Sequence, residues 1–416
     1  EINRGDELSK MKLYSQIFIF LLMFIFAGCD EDVSTDTVDY YDDLQTKLIL
    51  ASSGETVMLP KGFIALNRSL WIDGLSNVTV QGHGIDQTIL SFKDQIEGSE
   101  GLKIINSKNI ILKDFTIEDS KGDLIKVENT SGIDFVNLKA QWTGKPKKTN
   151  GAYGLYPVNC ENVLIDRCIA IGASDAGIYV GQSKMITVRN SEAYYNVAGI
   201  EIENSYYADV YNNYSHDNAG GILVFDLPDL VVKSGKSVRV YDNVVVDNNF
   251  KNFAPLGNVV ASVPSGTGIM VLATSDVEIY QNKIYNNKTA NTCIVSYHIL
   301  EEPITDKEYY PYPTSIYIHD NIYKRKRMLP SLSFKQPIGF LLAMNYFNDV
   351  PDIVIDGIID NKIEDKSSNN PHQICIENNS GASFLNLDAA NDFENMTTDL
   401  GHYNCSLPVI NHTVYP

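Results

Sequence analysis

A four-residue phrase returns along this chain at a nearly fixed interval: a small or apolar residue, an aliphatic, any residue, and another apolar one. It reads Gly101-Leu102-Lys103-Ile104, Leu124-Ile125-Lys126-Val127, Gly154-Leu155-Tyr156-Pro157 and Gly177-Ile178-Tyr179-Val180. It continues as Gly199-Ile200-Glu201-Ile202, Gly221-Ile222-Leu223-Val224 and Gly268-Ile269-Met270-Val271. The intervals are 23, 30, 23, 22, 22 and 47 residues. A repeat of this size marks a solenoid, in which each unit buries its apolar side only by stacking on its neighbours. The two long intervals then hold insertions.

A second phrase follows within each unit, as in Val238-Arg239-Val240-Tyr241-Asp242-Asn243, Val277-Glu278-Ile279-Tyr280-Gln281-Asn282 and Ile316-Tyr317-Ile318-His319-Asp320-Asn321. Strict alternation over about five residues is the period of a strand, with aliphatics inside and polar residues outside. No helix-length segment lies between the phrases. The pattern predicts an all-β, single-stranded right-handed parallel β-helix of 22–23 residues per coil, running from residue 45 to 416. Asn213, Asn243, Asn282 and Asn321 fall in one column, where stacked amides serve the backbone of a turn.

Insertions are expected near residues 143–150, 226–265 and 301–313, overhanging one face of the rod. Loops carried on a rigid scaffold are where function concentrates.

The N-terminus reads as processing rather than structure. An apolar run from Ile17 to Ala27 is too short to span a bilayer and fits a signal peptide. Phe26-Ala27-Gly28-Cys29 resembles a bacterial lipobox, which implies lipidation at Cys29. Residues 1–28 are thus read as upstream residues and a lipoprotein signal, and 29–44 as an acidic tether. The acidic Asp30-Glu31-Asp32 resembles a surface-export signal. The expected address is the cell envelope, lipid-anchored at the outer membrane and surface-exposed, with the periplasmic face as the alternative. Five further cysteines remain. Cys375 and Cys405 are candidates to staple the C-terminal end, Cys160 and Cys168 are candidate buried coil residues, and with Cys293 the number is odd.

The net charge of −19 disfavours nucleic acid and anionic headgroups as partners. Contact with the membrane is expected through the lipid anchor only. The outward positions of the first strand in each coil run Lys103, Lys126, Tyr156, Tyr179, Glu201, Leu223 and Met270. The adjacent column includes Glu128, Val158, Gly181, Glu203 and Phe225, with Asp175 and Asp226 in flanking turns. This ribbon is expected to bind an extended ligand through Tyr153, Tyr156, Asp175, Tyr179, Glu201, Glu203, Phe225 and Asp226. Lys126, Tyr156, Tyr179 and Glu201 are the candidates for acid–base work. The same columns also read as an ordinary solvated sheet face. No metal-ligand spacing, phosphate loop or nucleophile elbow occurs. Ca²⁺ held by Asp175, Glu201, Glu203 and Asp226 is the one cofactor considered.

Gly54-Glu55-Thr56-Val57-Met58-Leu59-Pro60-Lys61-Gly62 and Val78-Thr79-Val80-Gln81-Gly82-His83-Gly84 resemble the opening of pectate-lyase-like β-helices. Tyr153-Gly154-Leu155-Tyr156-Pro157-Val158 resembles the Y-G-x-D-P-H phrase of mannuronan C5-epimerases. Tyr156 and Val158 replace its acid and its histidine, which argues against that reaction. Residues 151–275, with Asn404-Cys405-Ser406-Leu407-Pro408, resemble an exported bacterial β-helix family of unestablished activity. The resemblance implies an envelope partner, because members are encoded beside a c-type cytochrome-like protein. Two functions follow as expectations. One is a face that binds an extended polysaccharide, with or without processing it as a lyase, epimerase or hydrolase. The other is a non-enzymatic accessory to an envelope protein.

Overall fold

The structure is a computed structural model that describes residues 40–333, 336–360, 362–363 and 370–412. The signal segment, Cys29 and most of the proposed tether lie outside the described residues.

Aliphatic alternation closes the chain into coils, each adding one strand to an 11-stranded parallel sheet and, in most coils, two to a 19-stranded one. In the smaller sheet, called the face sheet below, Leu155, Ile178, Ile200, Ile222 and Ile269 stand in one register column. All five are fully buried inside the bore. The repeating phrase is therefore one rung of a parallel β-helix. The boundary placed at residue 45 falls inside a helix, Tyr40–Leu50, whose Leu44 and Leu48 are buried in the core of the first coils.

Turns between sheets need one residue with positive φ. Asn106, Asn129, Asn159 and Asn204 supply it, each just after a strand of the face sheet. Asn tolerates this left-handed conformation better than most residues because its short side chain bonds locally. Elsewhere Asn works inside the wall. Asn213 Nδ2 donates to Asn243 Oδ1 at 3.0 Å, Asn243 to Asn282 at 3.0 Å and Asn282 to Asn321 at 2.9 Å. Asn321 continues the ladder to Asn379 at 2.9 Å. A second ladder, which the sequence reading missed, runs Asn196, Asn218, Asn248, Asn287 and Asn291 at 2.9–3.1 Å.

The solenoid has two cores. The first fills the bore. The second lies outside it, where Tyr179, Leu223, Phe225, Met270, Leu272 and Val295 on the outward side of the face sheet meet Val260, Val263, Tyr309, Ile338 and Leu342. These partners come from the 226–265 and 301–313 insertions and from the helix Pro337–Tyr346. The insertions do overhang one face, and they cover it. Cys375 and Cys405 form a disulfide, while Cys160, Cys168 and Cys293 are free and buried.

Candidate functional site

Register fixes which side chains share the outward column of the face sheet. Trp71 lies beside Lys103, Lys103 beside Lys126, and Lys126 beside Tyr156. The pairing of Leu155 with Ile178 carries the column on to Tyr179, then Glu201, Leu223 and Met270. Exposure along it changes abruptly. Trp71 is 40 % exposed and Lys103, Lys126 and Tyr156 are half-buried, whereas Tyr179 is 4 %, Glu201 1 % and Leu223 0 % exposed.

The expectation of one continuous open ribbon is corrected here. Asp175, Tyr179, Glu201, Glu203, Phe225 and Asp226 are all buried beneath the insertions. Alternation tells which residues leave the bore, but not what covers them afterwards. Only Lys126, Tyr153 and Tyr156 of the nominated residues remain partly accessible. The exposed Lys145, Lys147 and Lys148 sit in the short insertion before Tyr153.

The open part is a strip of two neighbouring lysines with an aromatic ring at each end. The Lys103 ammonium lies 4.7 Å from the Trp71 ring centre, and that of Lys126 lies 5.2 Å from the Tyr156 ring. Such contacts are worth about 0.5–1 kcal/mol at exposed sites. Lys126 also pairs with Glu128 at 3.6 Å. Asp123, in the turn before this strand, accepts the Tyr153 backbone N–H at 3.1 Å. Burial pushes its carboxyl up to about 6, although that hydrogen bond and Lys126 pull the other way.

The strip stops at three tyrosines. Tyr153 lies 4.5 Å from Tyr156 and 4.3 Å from Tyr179, with 5.1 Å between the latter two ring centres. Burial raises all three hydroxyls well above the usual tyrosine range, and the nearby carboxyls add to the effect. Behind them Asp175, whose charge bears on Tyr153, accepts Asn258 Nδ2 at 2.9 Å. Tyr179 donates to Glu203 Oε1 at 2.6 Å. Glu201 Oε2 is buried with no hydrogen-bond partner. Desolvation pushes Asp175 and Glu203 up to about 7 and Glu201 well above the carboxylate range. A buried carboxyl with no cation beside it keeps its proton. Asp226, also raised to about 7 by burial, accepts the Gly235 N–H at 2.8 Å, and its carbonyl takes the Tyr309 hydroxyl at 2.6 Å. It pins two insertions together.

The carboxylates considered for Ca²⁺ form no ligand set. Among the described residues, no three His, Cys, Asp or Glu side chains are grouped to hold a metal ion. The sequence reading missed Trp71 and Asp123. Both were within reach: Leu70-Trp71-Ile72 extends the phrase one coil upstream, and Asp123 precedes its strand as Asp175 precedes the strand beginning at Ala176.

The family model described as "Right handed beta helix region" matches residues 125–299. The pre-neck appendage protein of Bacillus phage B103 is 25% identical over 220 residues, which is 44% of this chain and 25% of that protein. The chain thus spans about a quarter of the length of that relative. Among solved structures, the A-module of the Azotobacter vinelandii mannuronan C-5 epimerase AlgE4 is similar with a TM-score of 0.46 and 15% identity, covering 77% of this chain and 88% of that one. DFA-IIIase from Arthrobacter chlorophenolicus A6, solved without its lid in complex with GF2, has a TM-score of 0.48 and 10% identity, covering 76% and 86%. Pectate lyase Pel9A has a TM-score of 0.41 and 13% identity, covering 66% and 72%. The repeat, the register and the family match together make this chain a right-handed parallel β-helix protein.

Proposed function

We propose that the open strip of the face sheet, from Trp71 through Lys103 and Lys126 to Tyr156, binds an extended polysaccharide. The observation that carries this reading is the step in exposure along one register column: four coils partly open, then a sealed wall. Aromatic rings with a polar edge suit the apolar faces and hydroxyl rims of sugars. Lysines one coil apart, about 4.8 Å, suit acidic groups carried at the repeat of a sugar chain. The local cations also offset the repulsion that a net charge of −19 exerts on an anionic glycan.

The chemistry available at the wall is proton transfer. Asp123, with its carboxyl near 6, lies close enough to Lys126 to be influenced by its charge, and it is the group best matched to give or take a proton near neutral pH. Lipid attachment at Cys29 and display on the cell envelope belong to the same proposal and would hold the strip where such polymers are met.

The test is a glycan array with titration calorimetry on wild type, Trp71→Ala and Lys126→Ala, followed by product analysis on any polymer bound. A loss of at least tenfold in affinity for both variants supports the site. Binding unchanged in both removes the strip from consideration. Turnover lost in Asp123→Asn with binding kept assigns that carboxyl to catalysis.

A further inference from the structure

The strip has a closed end. At its far side the outward column meets Tyr156, Tyr153 and then Tyr179, which is buried. The long insertion meets the sheet at this point. Asn258 reaches from it to Asp175 at 2.9 Å, Val260 and Val263 pack into the outer core behind it, and Leu256 is 73 % exposed at its tip. Beyond the wall every outward residue of the column, from Tyr179 through Glu201, Leu223, Met270, Cys293 and Val354 to Leu385, is buried. Upstream, the column ends at Trp71 in the first strand of the sheet.

A polymer gripped in mid-chain has to continue at both ends of its site. Here one continuation is blocked by protein, so an internal stretch would have to bend off the sheet at Tyr156. A chain terminus meets no such penalty. Resting on the glycan-binding reading above, we propose that this face binds the end of a glycan chain and not its interior. Three coil steps of about 4.8 Å separate Trp71 from Tyr156, about 14 Å in all, which suits about three sugar rings. The terminal ring rests against Tyr156 and Tyr153 beside Asp123. The remainder of the chain leaves past Trp71.

The experiment counts protein molecules bound per glycan chain. Polygalacturonate, alginate and xylan are each offered as a short and a long size fraction at equal molar concentration of chains, with binding read by calorimetry and by sedimentation. End binding gives the same count and the same affinity per chain for short and long fractions. A count that rises in proportion to chain length overturns the inference and leaves glycan binding intact. No binding to any fraction of any of the three overturns the glycan reading itself, and the inference with it. Deleting Pro255, Leu256 and Gly257 lowers the wall and is expected to make the count length-dependent. The wild-type count decides the matter even where that variant fails to fold.

Discussion

The hydroxyl end of the Tyr179 ring lies against Gly181, and its hydroxyl donates to Glu203 in the next coil at 2.6 Å. A β-carbon at position 181 would come within 2.4 Å of the ring. Gly181→Ala is therefore expected to push Tyr179 out of place and cost about 1–3 kcal/mol by overpacking. Tyr179→Phe removes only the hydroxyl and is expected to cost about 1 kcal/mol. Urea unfolding of the two variants measures both. A Gly181→Ala midpoint equal to wild type would show that the ring is free to move.

Tyr179→Ala, by contrast, empties a buried site and is expected to cost about 3–5 kcal/mol. Tyr156→Ala sits at the half-exposed edge and is expected to cost much less while weakening glycan binding. The pair separates fold from site. Equal losses of stability in both would place Tyr156 in the core as well.

The buried carboxyls set a sign for pH dependence. Asp175, Glu203 and Asp226 titrate near 7 and Glu201 is raised well above its ordinary value, all chiefly by desolvation. In the unfolded chain such groups titrate near about 4. Their contribution to stability is therefore whole below about pH 4 and is lost as pH rises through 7. Glu201→Gln keeps a neutral group in place. It is expected to fold more stably than wild type at pH 8 and to differ little at pH 4. Thermal melts of both proteins at those two values check it, and the opposite ordering would mean that Glu201 is charged in the folded state.

Asn243 accepts from both the backbone and the side-chain amide of Asn213, and it donates to the Val210 carbonyl and to Asn282, at 2.8–3.0 Å. Replacing it with Ala leaves partners unsatisfied in a fully buried turn, at about 1–3 kcal/mol for each stranded group. A denaturant midpoint within error of wild type would show that water repairs the ladder.

The Cys375–Cys405 bridge closes a span of 30 residues. The chain-entropy relation gives about 3–4 kcal/mol for a loop of that length. The segment after it crosses the larger sheet, where Ile410 N–H donates to Glu278 at 3.0 Å and Arg239 donates to the Ile410 carbonyl at 3.3 Å. Reduction, or Cys375→Ser with Cys405→Ser, is expected to lower the melting temperature and open residues 406–412 to protease. Unchanged proteolysis would assign the hold on this segment to its contacts with the larger sheet, among them Arg239, Glu278 and the Asp209–His412 pair.

The fold was legible because its cause is local and repeated. Ile178, Ile200 and Ile222 announce one rung each, and the Asn213 ladder is visible as a column of one residue type. The cystine was visible as two cysteines near the end of the chain. The site was legible only in part. Glu201 and Glu203 alternate with Ile200 and Ile202 just as solvent-facing residues do, and nothing in their own strand records Val260 or Ile338 lying above them. That cover comes from segments far along the chain whose apolar residues carry no period. Asp123 went unnoticed for a different reason: its character comes from burial, which a turn residue does not advertise in sequence.

Because the second core begins at Ala176, the rod is built to two standards. The coils before it rest mainly on the bore, with Tyr153 and Tyr156 at the edge of the second core, while those after it are gripped on both sides of one wall. In a stacked array each coil leans mainly on its neighbours, so local opening is cheapest where contacts are fewest. Amide exchange should be fastest in the strands Arg68–Asp73 to Tyr153–Val158 and slowest from Ala176–Gly181 onward. The stretch that meets a ligand is then the compliant end of a stiff beam, able to adjust its pitch to a guest while the far end holds its length.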